Sequence, residues 1–525
     1  MKKETRLYIA CIIALVTMAF GFVVRAFLIT EWGQRFNLSE TQIGSIQGAG
    51  LFPQALSIIF FSLIIDKVGY GRVMAFAWSA HVLSAILTIT ANSYLALYWG
   101  TFIFALAAGA VEAAINPMTA TLFSKSKTHH LNILHAGWPG GLMLGGMLAI
   151  SMSGIEGPNA WRWKIGLFLI PTAIYGAMML GQRFPIQERV AAGVSYTDML
   201  SEFGWGGCYI VFVFVAYAID EISRVLGFRF LPEQNAVAAA LLYALIPTVL
   251  FVMKIRSFGR PLFVFLLFTM ILLATTEVGT DSWIAALMTP VLKHVGENAG
   301  NWVLVYTSAI MFVLRFFAGP IAHRISPLGL LAAGAAVACA GLNWLSAAGT
   351  SAALIFLAAT CYGLGKSFFW PTTLGVVSEQ FPKGGALTLN AIAGVGMISV
   401  GVLGNPLLGA LQDHSLDRRL GKQNPALHAK VAGTEQSKYG LKYQPLDKSR
   451  IAALPAEEKE SVENVRVVNN QAMLAKVALL PAIMFACYLS LILYFRSRGG
   501  YQQVELAGAD AAGGALESGR TAGRV

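Results

Sequence analysis

The chain has 525 residues, of which 56% are hydrophobic and only 12% are charged. Soluble domains carry about 25% charged residues, so this composition excludes an ordinary soluble protein and indicates that most of the chain lies in lipid. The net charge of +11 is assigned to basic residues in short loops on one side of a membrane rather than to nucleic-acid binding. The five cysteines show no metal-site spacing and are interpreted as packing residues.

About fourteen apolar segments follow one another along the chain, each close to the roughly 20 residues that cross a bilayer. They are predicted to be helices, because a backbone in lipid must satisfy its own hydrogen bonds. The first segment is too long for a signal peptide and lacks a cleavage site, so it is predicted to be retained. The predicted limits are 6–30, 41–65, 73–93, 94–123, 133–154, 162–182, 204–226, 235–254, 261–291, 301–322, 328–347, 352–377, 386–411 and 472–495.

The distribution of lysine and arginine predicts the orientation of these spans. Basic residues are concentrated in the segments that lie inside when the N-terminus is cytoplasmic, which predicts a multi-pass protein of the inner membrane with both termini in the cytoplasm. The polar segment 412–470 then lies outside, either as a small folded cap or as a flexible linker. The tail beyond Gly499 is rich in glycine and alanine and is predicted to be disordered.

An internal repeat relates the two ends of the chain. Glu112 and Lys366 are 254 residues apart, and so are Pro117 and Pro371, each pair lying in corresponding apolar spans. The next span of each half aligns at a separation of 255 residues, and the loop at 66–69 aligns with 323–326. Such a parallel repeat is typical of transporters built from two equivalent six-helix halves.

The repeat divides the chain into four regions. Two spans fall between the halves and are interpreted as an inserted helix pair. The predicted regions are an N-terminal six-helix half (1–183), a cytoplasmic linker with the inserted pair (184–260), a C-terminal six-helix half with the outer loop 412–470 (261–495) and a cytoplasmic disordered tail (496–525).

The chain resembles the major facilitator superfamily. The loop Asp66-Lys67-Val68-Gly69-Tyr70-Gly71-Arg72 is similar to the superfamily signature loop, with Ser62 in place of its first glycine. Within the superfamily, Glu112-Ala-Ala-Ile-Asn-Pro117 and Glu277-Val-Gly-Thr-Asp-Ser-Trp283 resemble the fucose:proton symporter-like sugar branch, as do Phe369-Trp-Pro-Thr372 and Glu379-Gln-Phe-Pro382. The resemblance implies an all-α polytopic fold with pseudo-two-fold symmetry and a central substrate cavity.

Two features depart from that branch. The branch has twelve helices, whereas this chain has the inserted pair. Arg25 stands where the fucose symporter has an aspartate, which places the nature of the substrate in question. An arginine in the cavity suits an anionic solute, because a guanidinium binds a carboxylate or phosphate with two parallel hydrogen bonds. Alternatively, Arg25 pairs with Glu277 or Asp281.

Ionisable residues inside membrane spans are costly and therefore predicted to be functional. Glu112 is the first candidate for proton coupling, and the alternative is a permanent Glu112–Lys366 clamp between the halves. The substrate-binding or coupling candidates are Arg25, Glu112, Asn116, His135, Trp138, Glu277, Asp281, Trp283, Lys366, Trp370 and Asn390. The candidates for a conformational role are Asp66, Lys67, Gly69, Arg72, Arg315 and Arg324.

These observations predict a secondary active transporter that moves a sugar or sugar acid by alternating access, driven by a proton gradient and without a cofactor or metal. The alternatives are an organic anion carrier that uses Arg25 and Lys366, and a non-transporting nutrient sensor of the same fold. A nucleotide loop is rejected because Thr360 replaces the required glycine, and no enzyme motif is recognised. The expected partners are a small-molecule solute and the lipid bilayer, without nucleic acid, and the sequence predicts no oligomeric state.

Overall fold

The computed structural model describes residues 3–38, 40–152, 154–155, 157, 159–232, 235–296, 298–322, 324–438 and 440–506. In these ranges, twelve helices are long and apolar enough to cross a membrane. Two further predicted spans, 162–182 and 301–322, correspond to a helix interrupted at Leu167–Phe168 and to a shorter apolar helix. The all-α polytopic architecture is thereby confirmed, and about fourteen remains an approximate count.

Six helical segments, three of them made of two consecutive helices, form the first half of the chain. They are α1 (Lys3–Arg35), α2 (Glu40–Ala49) with α3 (Phe52–Val68), α4 (Tyr70–Ile89), α5 (Tyr94–Leu122), α6 (Lys127–His135) with α7 (Gly137–Ser151), and α8 (Ala160–Gly166) with α9 (Leu169–Met179). The short helix α10 (Glu188–Ala191) leads to the inserted pair, which consists of α11 (Tyr196–Val225) and α12 (Ala236–Tyr243) with α13 (Leu245–Lys254). Helix α11 packs beside the second half.

The second half contains two π-helical turns, Thr275–Gly279 and Val400–Gly404. Its helices are α14 (Pro261–Ala274), α15 (Thr280–Val291), α16 (Ala299–Arg315), α17 (Ala318–Ala322), α18 (Pro327–Ala347), α19 (Ala352–Lys366), α20 (Phe369–Gln380), α21 (Gly385–Ser399) and α22 (Asn405–Gln423). The halves meet where α7 packs on α16, α3 on α21 and α6 on α20.

The predicted single span 352–377 is interrupted, since α19 ends at Lys366 and α20 begins at Phe369. The physical reason is Pro371, which has no N–H to donate to the carbonyl of Ser367 and whose ring obstructs that carbonyl. The predicted span 133–154 likewise begins earlier, at Lys127, and is interrupted at Ala136. Both interruptions lie at the interface between the halves.

The segment 412–470 is folded into a small cap. After α22 it contains α23 (Pro425–Val431), a hairpin of β1 (Gln436–Lys438) and β2 (Leu441–Tyr443), α24 (Lys448–Ala452) and α25 (Ala456–Val477), which continues into α26 (Leu479–Arg496). Its own apolar core includes Leu416, Leu420, Leu427, Val431, Val462 and Val465. Of the two alternatives open from the sequence, the structure therefore has the folded cap. The side of the molecule that carries it is called the cap face.

The opposite side, where α1 begins and where residues 501–506 lie, is called the termini face. Residues 501–506 were expected to belong to a disordered tail, but they lie against this face without regular secondary structure, and the Tyr501 hydroxyl donates a 2.7 Å hydrogen bond to Glu379. Glycine and alanine become frequent only from Ala507 onward, so these six residues differ in composition from the rest of the predicted tail. The remaining predicted tail, 507–525, and His323 of the repeat lie outside the described residues.

Candidate functional site

A cavity of about 1220 Å³ lies between the two halves. It extends from Arg25, in the C-terminal half of α1, to the exposed Gln34 near the end of that helix, and so opens on the cap face. Its volume is large enough for a small organic solute with bound water. The polar and charged residues on its wall are Arg25, Glu31, Gln34, Gln47, Thr101, Lys164, Glu221, Asp281, Ser282, Thr289, Asn298, Asn301 and Asn405.

Arg25 is buried on the cavity wall and is held by uncharged neighbours. Its Nη2 donates to the Ser84 hydroxyl at 2.9 Å and its Nη1 to the Gly21 carbonyl at 3.1 Å. The guanidinium carbon lies 4.0 Å from the ring centroid of Phe104 and 4.9 Å from that of Phe168. The buried Nε has no hydrogen-bond partner. Stacking and hydrogen bonds therefore fix the plane of the guanidinium without neutralising its charge.

The other charged groups on the cavity wall are paired. Glu31 lies 3.7 Å from Lys164, Asp281 forms an ion pair with the buried Lys366, and Glu221 pairs with Arg224 at 3.2 Å. Within the described ranges, Arg25 is the one ionised residue on this wall without an oppositely charged partner. The predicted alternative in which Arg25 pairs with Glu277 or Asp281 is therefore wrong.

Glu112 lies beside a second, deeper cavity of about 20 Å³, which has room for about one water molecule. Its Oε2 accepts a 3.1 Å hydrogen bond from the Gln54 amide, and no cation is paired with it in the part of the chain that the structure describes. Gln54 comes this close because Gly109 lets α3 approach α5: a Cβ at Gly109 would lie 2.2 Å from the Gln54 carbonyl oxygen. The predicted Glu112–Lys366 clamp is wrong, because Lys366 is bonded to Asp281.

Glu277 and Arg315 form a buried ion pair at the centre of the molecule. The Arg315 Nη2 donates to Glu277 Oε1 at 2.7 Å, and the Trp370 backbone N–H donates to Glu277 Oε2 at 3.1 Å. Arg315 also donates from Nε to the Ser367 carbonyl at 2.7 Å and from Nη1 to the His135 carbonyl in the other half. One side chain therefore connects three spans and both halves.

Both carbonyls that Arg315 binds are freed by a proline four residues later. Pro371 has no N–H for Ser367, and Pro139 has none for His135. A buried carbonyl without a donor costs about 1–3 kcal/mol, which Arg315 avoids at both positions. Sequence reasoning assigned Arg315 a conformational role, and the structure places it at this junction rather than in the signature loop.

Asn390 repeats this arrangement at the symmetry-related position. Its Nδ2 donates at 2.9 Å to the carbonyl of Ala113, which Pro117 leaves without a helical donor. Asn390 belongs to the second half and Ala113 to the first, so this bond also connects the halves. It lines neither cavity, and the geometry favours a structural contact over contact with a solute.

His135 and Asn116 form a pair beside the deeper cavity. The His135 Nε2 lies 2.9 Å from the Asn116 Oδ1, and both residues are buried. His135 lines the deeper cavity, whereas Asn116 contacts the His135 ring without lining that cavity. The arrangement fixes the imidazole ring, while the backbone carbonyl of His135, which Pro139 leaves free, accepts from Arg315.

The three predicted tryptophans are distributed over both cavities. Trp283 lines the large cavity, Trp370 lines the deeper one, and Trp138 lines both. The Trp138 ring lies 5.8 Å from that of Phe22, measured between centroids. Trp138 therefore forms part of the wall that separates the large cavity from Glu112.

The signature loop makes a turn between α3 and α4 at Gly69, whose φ of 85° suits glycine. Asp66 forms an ion pair with Arg189, and the Lys67 ammonium lies 5.2 Å from the ring centroid of Tyr196. These bonds attach the loop to the segment between the halves. Arg72 and Arg324, which were also predicted to have a conformational role, are exposed.

The termini face is closed by contacts between α6 and α20. Thr128 donates from its hydroxyl to Glu379 Oε1 at 2.5 Å, and the Asn132 amide donates to the Thr372 hydroxyl at 3.2 Å. Lys127 is buried and pairs with Glu188 at 2.7 Å. The cavity is therefore open on the cap face and closed on the termini face.

Several residues of the site were not predicted from the sequence. Gln54, Ser84 and Phe104 position the two central charged groups, and Asn301 and Asn405 line the large cavity. Gln54 and Asn405 carry a usable signal, since each is a polar side chain within or at the end of an apolar run. Phe104 carries none, because a phenylalanine is expected in any span.

Known proteins similar to the chain are transporters. The sequence model described as Major Facilitator Superfamily matches residues 9–405. A gentisate transporter of Corynebacterium glutamicum is 27% identical over 154 residues, which cover 29% of this chain and 33% of that protein. The match thus spans about a third of the length of that curated relative.

Two solved structures share the fold. The human organic anion transporter MFSD10 superposes with a TM-score of 0.57 at 11% identity, covering 93% of this chain and 100% of that one. The fucose:proton symporter of E. coli superposes with a TM-score of 0.53 at 15% identity, covering 93% and 99%. The two halves, the central cavity and the family match across most of the chain lead to one conclusion: this chain belongs to the major facilitator superfamily.

Proposed function

We propose that this chain is a proton-coupled carrier of organic acid anions. The observation that carries the proposal is the unpaired Arg25 on the wall of the large cavity. A buried cation without a counter-charge is costly, and an entering carboxylate would remove that cost. A neutral solute would leave Arg25 as it is. The proposed carrier binds its solute and changes conformation without altering the solute chemically, so it is not an enzyme.

The geometry around Arg25 suits a carboxylate. Phe104 and Phe168 hold the guanidinium plane, while Ser84 and the Gly21 carbonyl hold its Nη atoms from behind. A planar carboxylate could then engage the remaining N–H groups with fixed geometry, and such charge-assisted bonds are about twice as strong as neutral ones. Lys366 was predicted as the second cation of the anion site. It forms an ion pair with Asp281, and we therefore assign it a structural role instead.

Glu112 is the proposed proton carrier. When Glu112 is ionised in the state seen here, its Oε2 accepts from the Gln54 amide, and no cation is paired with it within the described ranges. Protonation would remove a buried negative charge, so a closed carrier favours the neutral acid. Its position beside the deeper cavity, next to Trp138, places it close to the solute without direct exposure to the cap face.

The names of similar proteins support an acidic solute. The Corynebacterium glutamicum relative is a gentisate transporter and the human structural neighbour is an organic anion transporter. The lysine and arginine bias of the sequence supports an inner-membrane location with the termini face in the cytoplasm. In that orientation the large cavity would load from outside, as uptake requires.

The test is uptake of radiolabelled gentisate and fucose into proteoliposomes, with and without an inward proton gradient. We expect gradient-driven accumulation of the acid, loss of it in Arg25→Gln, and retention in the matched control Lys164→Gln, which removes a paired cation from the same wall. Acid uptake that survives Arg25→Gln would sink the anion proposal.

Glu112→Gln tests the coupling separately. We expect this variant to lose gradient-driven accumulation and to keep exchange of labelled for unlabelled acid, because a permanently neutral residue can reorient but cannot release a proton. Glu31→Gln is the matched control on the large cavity. Equal gradient dependence in Glu112→Gln and the parent would exclude Glu112 as the coupling site.

Sugar symport is the second candidate. The observation that favours it is the group of amide side chains near the cap face, Gln47, Asn301 and Asn405, which line the large cavity together with Trp283. Amides and tryptophan suit the hydroxyl groups and flat faces of a sugar ring. Accumulation of fucose but not of gentisate by the parent protein would favour this candidate.

A further inference from the structure

Residues 501–506 form hydrogen bonds to both halves across the termini face. The Tyr501 hydroxyl donates to Glu379 Oε2 at 2.7 Å, and the Val504 backbone N–H donates to the Glu379 carbonyl at 2.9 Å. The Gln380 amide donates to the Gln502 carbonyl at 2.7 Å. These three bonds attach the segment to α20 in the second half.

A fourth bond attaches the same segment to the first half. The Gln503 amide donates at 2.9 Å to the carbonyl of Ser124, in the turn between α5 and α6. The two attachment points, in α20 and in the turn before α6, belong to different halves, which must separate if the termini face is to open. A segment that is hydrogen-bonded to both therefore opposes that separation.

Glu379 connects this segment to the contact between the halves. Its Oε1 accepts from the Thr128 hydroxyl and backbone N–H of the first half, while its Oε2 accepts from Tyr501. The carboxylate is buried, so loss of the Tyr501 donor would leave an acceptor partly unsatisfied. Burial, and to a lesser extent the negative charge of Glu379, raises the pKa of Tyr501 well above its usual range. The Tyr501 hydroxyl therefore keeps its proton at physiological pH.

We propose that residues 501–506 are a strap that holds the termini face closed and must be displaced before the carrier can open on that side. The strap is independent of the identity of the solute. It makes the C-terminal segment a regulatory element, because any factor that removes the segment from α20 and from the turn between α5 and α6 would favour opening of the termini face.

The experiment measures opening directly and needs no substrate. Thr372→Cys places a reporter thiol at the buried contact with Asn132, and a membrane-impermeant maleimide applied to the termini face labels it only when the halves separate. Mass spectrometry distinguishes the reporter peptide from the native cysteines. Two truncations are compared in this background, one ending at Gly500 and one ending at Leu506.

We expect the chain that ends at Gly500 to label at least about fivefold faster than the full chain, the factor for loss of about one net hydrogen bond. The chain that ends at Leu506 retains the strap and labels at the parental rate. The full-length variants Tyr501→Phe and Gln503→Ala, which keep the backbone, are expected to fall in between. Equal labelling rates for the two truncations, or an unchanged rate in a variant that combines Tyr501→Phe with Gln503→Ala, would overturn the proposal.

Discussion

The bond between Asn390 and the Ala113 carbonyl offers a test of the proline-freed carbonyls that does not depend on transport. Asn390→Ala removes the side-chain donor of a carbonyl that Pro117 has deprived of its helical donor. A buried carbonyl left unsatisfied costs about 1–3 kcal/mol. Pro117→Ala restores an N–H at the right position in the helix, so Asn390→Ala should cost about 1–2 kcal/mol less in that background.

The assay is a double-mutant cycle of thermal unfolding in detergent for the parent, both single variants and the double variant. The volume lost at residue 390 is the same in both backgrounds and cancels in the cycle, which leaves the coupling between donor and freed carbonyl. Pro171→Ala, in the distant helix α9, is the control proline and should be additive with Asn390→Ala. An equal cost of Asn390→Ala with proline or alanine at position 117 would refute the reasoning.

Three further predictions concern the Lys366–Asp281 ion pair, the position of Arg25 and the core of the cap. Lys366→Met leaves Asp281 as an unpaired buried charge and should destabilise by about 3–5 kcal/mol, more than the double variant with Asp281→Asn, as measured by thermal unfolding; a double variant that is worse than the single would contradict it. Ser84→Ala should raise the half-saturation concentration for the acid about fivefold at unchanged maximal rate, because it loosens Arg25 by about one hydrogen bond; a fall in maximal rate alone would argue against this role. Leu420→Asp, in the core of the cap, should expose the segment 412–470 to protease while the spans stay intact, and a protease-resistant cap would show that this core is dispensable.

Sequence reasoning identified the architecture because its signals are local. Apolar runs define the spans, and the spacing between Glu112 and Lys366 revealed the repeat. It also selected most of the charged residues that lie at the two cavities, since such residues are rare in lipid. The cap remained undecided, because its core depends on contacts between residues far apart in the chain, such as Leu416 and Val462.

The pairing of charges could not be predicted in the same way. Symmetry suggested that Lys366 faces Glu112, but the π-helical turn at 275–279 brings Asp281 within reach of Lys366 instead. A turn of this kind changes which side chains face the cavity without a recognisable sequence signature. The prolines that free the carbonyls were visible in the sequence, whereas the donor that reaches each carbonyl depends on the packing of the two halves.

A small tilt of helix α22 would produce a larger displacement at the tip of the cap. Helix α22 has 19 residues from Asn405 to Gln423 and begins directly after the π-helical turn Val400–Gly404, beside the large cavity. At a rise of 1.5 Å per residue its far end lies about 28 Å from that turn. The Gln412 amide donates to Asn470 at 2.9 Å, so α25 moves with it. A tilt of about 10° at the turn would carry the tip of the cap through about 5 Å, a displacement large enough for a fluorophore pair on the cap and the first half to report each change of state in real time.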